Sequence, residues 1–283
     1  MVIESLLFVK NAEKNPWKML FIGFIYSSVA IILSLWIFQD QASLVMVFLI
    51  VMAAIPITYK TMQLEESKDL IIESEASLIK EHNKAIMFFL FLFLGITISS
   101  VFWYVTLPTS ITNPLFEKQT ATIKSINNNI SGNSISQLYL FNKIFLNNLK
   151  VLIFSLIFAF VYSAGAIFIL TWNATVIGTA IGNFIRANLS AYSTSLGFFG
   201  AGGYFHIVSL GLLKYTIHGV PEILSYFYGG LAGGILSAAI MKKHFNTPKF
   251  NHIMADFFEL VLVSVAFLLV AGFLEVYVTP IFF

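Results

Sequence analysis

Apolar residues come in blocks of about 20, the length that carries a helix across roughly 30 Å of hydrocarbon, and short polar or charged stretches separate the blocks. Read in order, the pattern predicts spans over residues 19–38, 42–59, 85–107, 148–172, 196–215, 221–241 and 257–278. Pro16 and Trp17 mark the start of the first span, and Gln39-Asp40-Gln41 is a tight turn into the second. Strand-like alternation with regular turn signals is absent. The fold class is therefore an all-α polytopic membrane helix bundle with about seven transmembrane spans.

The polar stretches differ in kind. Residues 1–18 carry Leu6, Leu7 and Phe8 among lysines and glutamates and predict a short interfacial helix. Residues 60–84 hold Glu65, Glu66, Asp69, Glu73, Glu75 and Glu81 against Lys68, Lys80 and Lys84. Apolar Leu64, Ile71 and Leu78 recur at helical spacing, which predicts one acidic cytoplasmic helix with a narrow apolar stripe. It reads either as a solvated connector or as a docking helix for a partner protein.

Residues 109–142 form an Asn-, Ser- and Thr-rich extracytoplasmic loop, with the sequon Asn129-Ile130-Ser131, and residues 138–147 a short amphipathic helix. Residues 176–189 are apolar but interrupted by Asn183, Arg186 and Asn188, and read as a half-helix or interfacial segment. The chain divides into a three-span region at 1–107, the loop at 108–142 and a membrane region at 143–283.

Lysine placement orients the chain. With the N-terminus inside, Lys10, Lys14, Lys18, the 60–84 helix, Arg186 and the turn at 242–249 face the cytoplasm. Lys118, Lys124, Lys143, Lys150 and Lys214 remain outside, which is the smaller share.

Composition narrows the function. Hydrophobic residues make up 58%, charged residues 11%, and mean hydropathy is +0.86. The net charge of +2 sits in membrane flanks, so no nucleic-acid partner is expected, and membrane lipids are the first partners. No cysteine is present, which removes disulfides, thiolate sites and cysteine nucleophiles. No cleavable signal peptide is apparent, and cell-membrane residence as a multi-pass protein is the expectation. No metalloprotease, serine-hydrolase or phosphate-loop motif occurs, so no catalytic residue, metal or cofactor is assigned.

Ionisable groups inside a membrane are costly, which makes each a functional candidate. Pro221 reads as the first residue of a helix, with Gly219 in the preceding loop and Glu222 in the first turn. His218, Glu222 and Glu275 then share one outer layer of the bundle, with Asn148 and Asn173 as further polar candidates. One hydrogen-bonded cluster of His218, Glu222 and Glu275 is expected. The trio suits a structural tie, a shared proton, pairing with Lys214, or a divalent metal in the least favoured, hydrolase reading. Gly229, Gly230, Gly233 and Gly234 form small-x-x-x-small pairs, and Gly178 with Gly182 another. They are expected to pack helices within the monomer, with a homo-oligomer seam as the alternative.

Four pieces appear in a telling order: Leu146-Asn147-Asn148, Trp172-Asn173, Ile217-His218-Gly219-Val220-Pro221-Glu222 and Leu274-Glu275-Val276-Tyr277-Val278-Thr279-Pro280. Together they resemble the stage II sporulation protein M family of integral membrane proteins, over about residues 142–283. The family often has Asn-Gly where this chain has Asn173-Ala174. In spore formers the family member is regarded as a membrane anchor for peptidoglycan hydrolases. The resemblance thus implies a scaffold that recruits partner proteins, here through residues 61–84 and 109–142. A composition with one arginine and abundant Ile, Asn, Lys and Phe is unlike a typical sporulating bacterium, so the process itself is not carried over. A transporter or channel for an ion, small solute or lipid is the alternative, resting on the helix breaks at 197–203 and 219–221.

Overall fold

Pro16 sits in the turn before Trp17 with backbone angles already helical, so the first span starts where its ring fits best. The structure is a computed structural model that describes residues 15–72, 75–130, 137–162, 164–196, 201–242 and 248–282. Its helices are α1 (Trp17–Ile37), α2 (Ala42–Asp69), α3 (Glu75–Thr106), α4 (Thr109–Leu115), α5 (Glu117–Ile130), α6 (Gln137–Tyr162), α7 (Ala166–Leu196), α8 (Ala201–Met241), α9 (Pro248–Phe273) and α10 (Thr279–Phe282). A single turn of 3-10 helix (Gln39–Gln41) joins α1 to α2, and a π turn (Leu274–Val278) joins α9 to α10. Among the described residues, seven helices (α1, α2, α3, α6, α7, α8 and α9) are long and apolar enough to cross a membrane. The protein is an all-α, multi-pass membrane bundle.

Side-chain pairs show which helix ends lie together. Lys242 after α8 bonds Glu66 of α2, and His82 of α3 meets Asp256 of α9. This is the lysine-rich end, inside by the charge reading. At the opposite end Arg186 of α7 reaches the last carbonyls of α3, and His218 of α8 meets Thr279 beyond α9.

The apolar crossing part of α8 is the most enclosed, packed by α6, α7 and α9 and touched by α2. Its stretch 225–239 is buried throughout, including Tyr226, Leu231 and Ile235. Small residues make that possible, because a Cβ at Gly230 would press on Ala166 and one at Gly233 on the backbone of Leu156. By contrast, α1, α6 and α9 present Trp36, Phe154 and Leu262 outward, as lipid-facing helices do.

Four predicted boundaries are corrected. Residues 60–84 are not one helix: α2 continues to Asp69, the chain turns through 70–72, and α3 begins at Glu75. The 109–142 stretch is helical in α4 and α5 rather than a loop. The expected span at 148–172 is two elements, since α6 ends at Tyr162 and α7 starts at Ala166, and 176–189 belongs to a full span. Residues 196–215 make no separate antiparallel span. They lead into α8, which passes Gly219 and Pro221 without a break.

The last two corrections exchange one span for another and leave the number unchanged. They also move Arg186 to the end opposite the lysine-rich one, where it joins the α4–α5 region. A helix can carry Pro221 because only one backbone donor is lost and neighbouring helices support the rest. Residues 1–14, the sequon residue 131 and the glycine-rich run at 197–200 lie outside the described residues, as does the side chain of Lys214.

Candidate functional site

The most concentrated polar chemistry lies at the lysine-rich end, on the segment expected to be solvated. Glu65, Glu66 and Asp69 are spaced i, i+1 and i+4, which puts them on one face of α2. That face turns inward, and all three are buried, while Ile71 of the expected apolar stripe is 78% exposed. The stripe is thus inverted at this point.

His82 enters the same layer from the first turns of α3, and Asp256 from α9. Both are fully buried. The imidazole uses both nitrogens: Nδ1 lies 2.8 Å from Glu65 Oε2, and Nε2 lies 3.2 Å from Asp256 Oδ2 and 3.3 Å from Asp69 Oδ1. Lys68 closes on Glu65 at 2.6 Å and on Glu81 at 3.5 Å. Lys242 bonds Glu66, and Lys84 bonds Glu81.

Around this layer, Tyr228 of α8 donates to Asn83 Oδ1 at 2.6 Å, and His252 of α9 meets the Ile72 carbonyl at 3.2 Å. One end of four helices, α2, α3, α8 and α9, is thereby tied through ion pairs and hydrogen bonds. Three donors, from Asp69, His82 and Asp256, come within 4.8 Å of one another, a spacing that suits a metal ion.

The sequence-predicted site lies at the other end. His218 Nδ1 is 3.2 Å from Thr279 Oγ1, and Thr279 Oγ1 donates to the Leu274 carbonyl at 3.0 Å. With its proton used there, the threonine oxygen accepts from Nδ1–H, so the histidine backs a carbonyl that also takes the Thr279 backbone N–H across the π turn. Glu222 Oε1 accepts from the Tyr226 hydroxyl at 2.8 Å, one helical turn along α8. Glu275, on the π turn, lies within electrostatic reach of Glu222 and Tyr226.

The trio therefore shares a layer, but no described hydrogen bond joins His218 to Glu222. The expected single hydrogen-bonded cluster is instead two local pairs: the i, i+4 spacing on the continuous α8 helix puts His218 and Glu222 on one face, yet His218 bonds Thr279 and Glu222 bonds Tyr226. Asn148 is nearly buried at the level of Ser225, one turn before the contact of Leu152 with Gly229. Its described partner is Asn147, at 3.4 Å. Asn173 stands apart, bonded to the Ile169 carbonyl of its own helix at 2.9 Å. Ala174 continues that helix, so no turn forms there.

The glycines singled out by spacing face neighbouring helices of the same chain. A Cβ at Gly178 would lie 2.6 Å from Ser100 Cβ, and one at Gly182 would lie 2.8 Å from the Tyr104 ring. Gly229 and Gly233 face Leu152 and Leu156, Gly230 faces Ala166, and Gly234 falls in the buried stretch of α8. A close contact that spacing did not reveal joins Gly23 of α1 and Gly95 of α3. Each would drive a Cβ into the other helix's backbone, at Leu92 and Leu20.

At the end opposite the lysine-rich one, Gln119 of α5 is fully buried. It accepts from Ser43 Oγ at 2.7 Å and approaches Thr175 Oγ1 at 3.4 Å, fastening α5 to α2 and α7.

No curated protein and no solved structure matches the chain. The family model for stage II sporulation protein M matches residues 42–280, which extends the likeness back through α2 and α3 and takes in both polar layers. With nearly all of its spans inside that match, this chain belongs to the stage II sporulation protein M family.

Proposed function

We propose that the protein is a membrane anchor, a fixed multi-pass platform on which partner proteins assemble. The observation that carries this reading is the α4–α5 pair. Its inner face is locked to the bundle through Gln119, while Glu117, Lys118, Ala121 and Lys124 face outward. A polar helix held rigidly beside the membrane surface presents a partner with an ordered target, which reduces the entropy lost on docking. The residue 61–84 surface is a weaker candidate than its charge suggested, because three of its acids point into the bundle.

The transporter alternative rested partly on a break at 219–221, and α8 is continuous there. The anchor reading assigns no catalytic residue.

The test is affinity purification from native membranes of the wild type and of a variant with Lys118→Glu and Lys124→Glu. Loss of specific co-purifying proteins from the variant supports the anchor reading. An unchanged set of co-purifying proteins overturns it.

A further inference from the structure

The geometry points to a divalent transition-metal site of borderline type, zinc foremost, formed by Asp69, His82 and Asp256 at the lysine-rich end. It stands whether or not the protein anchors partners.

A neutral histidine has one N–H and one bare nitrogen, and its partners decide which is which. Glu65 Oε2, 2.8 Å from Nδ1, holds the proton on that side. Nε2 then aims its lone pair at two further carboxylates, Asp69 and Asp256, in a fully buried layer. A lone pair facing two anions repels unless a metal cation or a proton stands between them. A carboxylate that fixes one histidine nitrogen while the other binds metal is the arrangement that orients metal-ligating histidines.

The layer also holds unmet acceptor capacity. Both oxygens of Asp69, and Oδ1 of Asp256, are buried with no hydrogen-bond partner among the described residues. Buried carboxylate oxygens are normally bonded or bound to metal.

The donor spacing fits a metal as well. Donors about 2.0–2.1 Å from a tetrahedral zinc stand roughly 3.3–3.4 Å from one another. Nε2 is 3.2 Å and 3.3 Å from its two carboxylate oxygens, and the three donors fit within 4.8 Å overall. Among the described ion pairs Lys68 meets Glu65, Lys242 meets Glu66 and Lys84 meets Glu81, and those of Asp69 and Asp256 are with His82. A nitrogen and two carboxylates favour zinc, manganese or iron(II) over magnesium, which prefers oxygen donors and retained water. Such an ion would pin α2, α3 and α9 together.

The competing account is an imidazolium whose Nε2 proton is shared by both aspartates, and the test separates the two. The full chain is purified in detergent without chelator, and its metal content is measured by mass spectrometry. About one transition-metal ion per chain is expected in the wild type and in the surface control Glu117→Gln, and a loss of tenfold or more in Asp69→Asn/Asp256→Asn. Because that variant also removes charges the fold uses, a second arm stays with the wild type. Chelator-stripped protein is titrated with zinc and with cobalt(II), following the melting midpoint and cobalt's visible absorption. A rise in midpoint with a cobalt spectrum showing nitrogen and oxygen ligation supports the site, even if the purified protein carries no metal. Metal retained undiminished in the double variant overturns the site. So does the absence of bound metal together with no response of the stripped wild type to either ion.

Discussion

Arg186 of α7 donates to the backbone carbonyl of Tyr104 at the end of α3, and its guanidinium carbon lies 5.2 Å from the centroid of the same residue's ring. The same nitrogen also reaches the carbonyls of Val105, at 3.3 Å, and Leu107. The last carbonyls of a helix have no partner within it, and a cation there also meets the negative end of the helix dipole. A single arginine thus finishes one span from the flank of another.

Replacing Arg186 with alanine strands those carbonyls and should cost about 1.5–3 kcal/mol, the range for hydrogen bonds to charged groups. Lysine keeps a charged donor nitrogen but not the planar guanidinium that stacks on the Tyr104 ring, so it should recover only part of the loss. Thermal unfolding in detergent measures both variants. An alanine variant as stable as the wild type would show that the contact carries no weight.

The same residue illustrates what the sequence concealed. Apolar blocks revealed the class and the first three spans, because hydropathy reports burial in lipid directly. Span α7 reads as a half-helix because Asn183, Arg186 and Asn188 lower its hydropathy, yet Asn183 accepts from Tyr104 of α3, Arg186 caps the end of α3 and Asn188 bonds the Phe184 carbonyl of its own helix, which a linear pattern does not display. Gly219 and Pro221 look like punctuation, yet tertiary packing carries α8 through both. The inner polar layer was misread for a similar reason. Six acids in 24 residues suggest a solvated face, and the i, i+4 spacing of Glu65 and Asp69 was the signal that three of them share a side. His82 and Asp256, distant in sequence, complete the layer only after folding.

Backbone contact between α1 and α3 gives a sharp pair of glycine predictions. A methyl group on Gly23 would overlap the Leu92 carbonyl, and neither backbone can retreat without moving a span. Gly23→Ala should destabilise by about 1–3 kcal/mol, as overpacking does. Gly219 has nothing within 4 Å of where its Cβ would be, and it lies inside a helix. Gly219→Ala should therefore be neutral or stabilising by up to about 1 kcal/mol, the difference in helix propensity. Melting midpoints moving in the opposite order would contradict both the close contact and the continuous helix.

The natural absence of cysteine makes the topology directly testable. Single cysteines replacing Lys84 and Lys242 should react with a membrane-impermeant maleimide from the same side. Cysteines replacing Lys118 and Asn188 should react from the other. Asn188 is the informative position, because α7 as a full span puts it with Lys118. Labelling of residue 188 together with residue 84 would restore the half-helix and remove the exchange of spans.

The layer opposite the lysine-rich end yields a prediction that reverses the obvious expectation for a buried glutamate. Glu222 accepts from Tyr226 and lies near Glu275, and no described lysine or arginine pairs with either carboxylate. Glutamine in place of Glu222 keeps an oxygen for the Tyr226 hydroxyl and removes one of two neighbouring negative charges. Its effect should fall within about 0.5 kcal/mol of zero. Alanine removes the acceptor and strands a hydroxyl on a tyrosine only 1% exposed, a loss of about 1–3 kcal/mol before any cavity cost. Tyr226→Phe should also destabilise, since it takes the one described donor from Glu222. His218→Ala acts on the Thr279 bond alone, so its effect should add to that of Glu222→Ala rather than couple with it. Unfolding of the four single variants and the double variant decides the matter. A glutamine variant as damaged as the alanine one, or strong coupling between residues 218 and 222, would replace the two local pairs with one connected cluster.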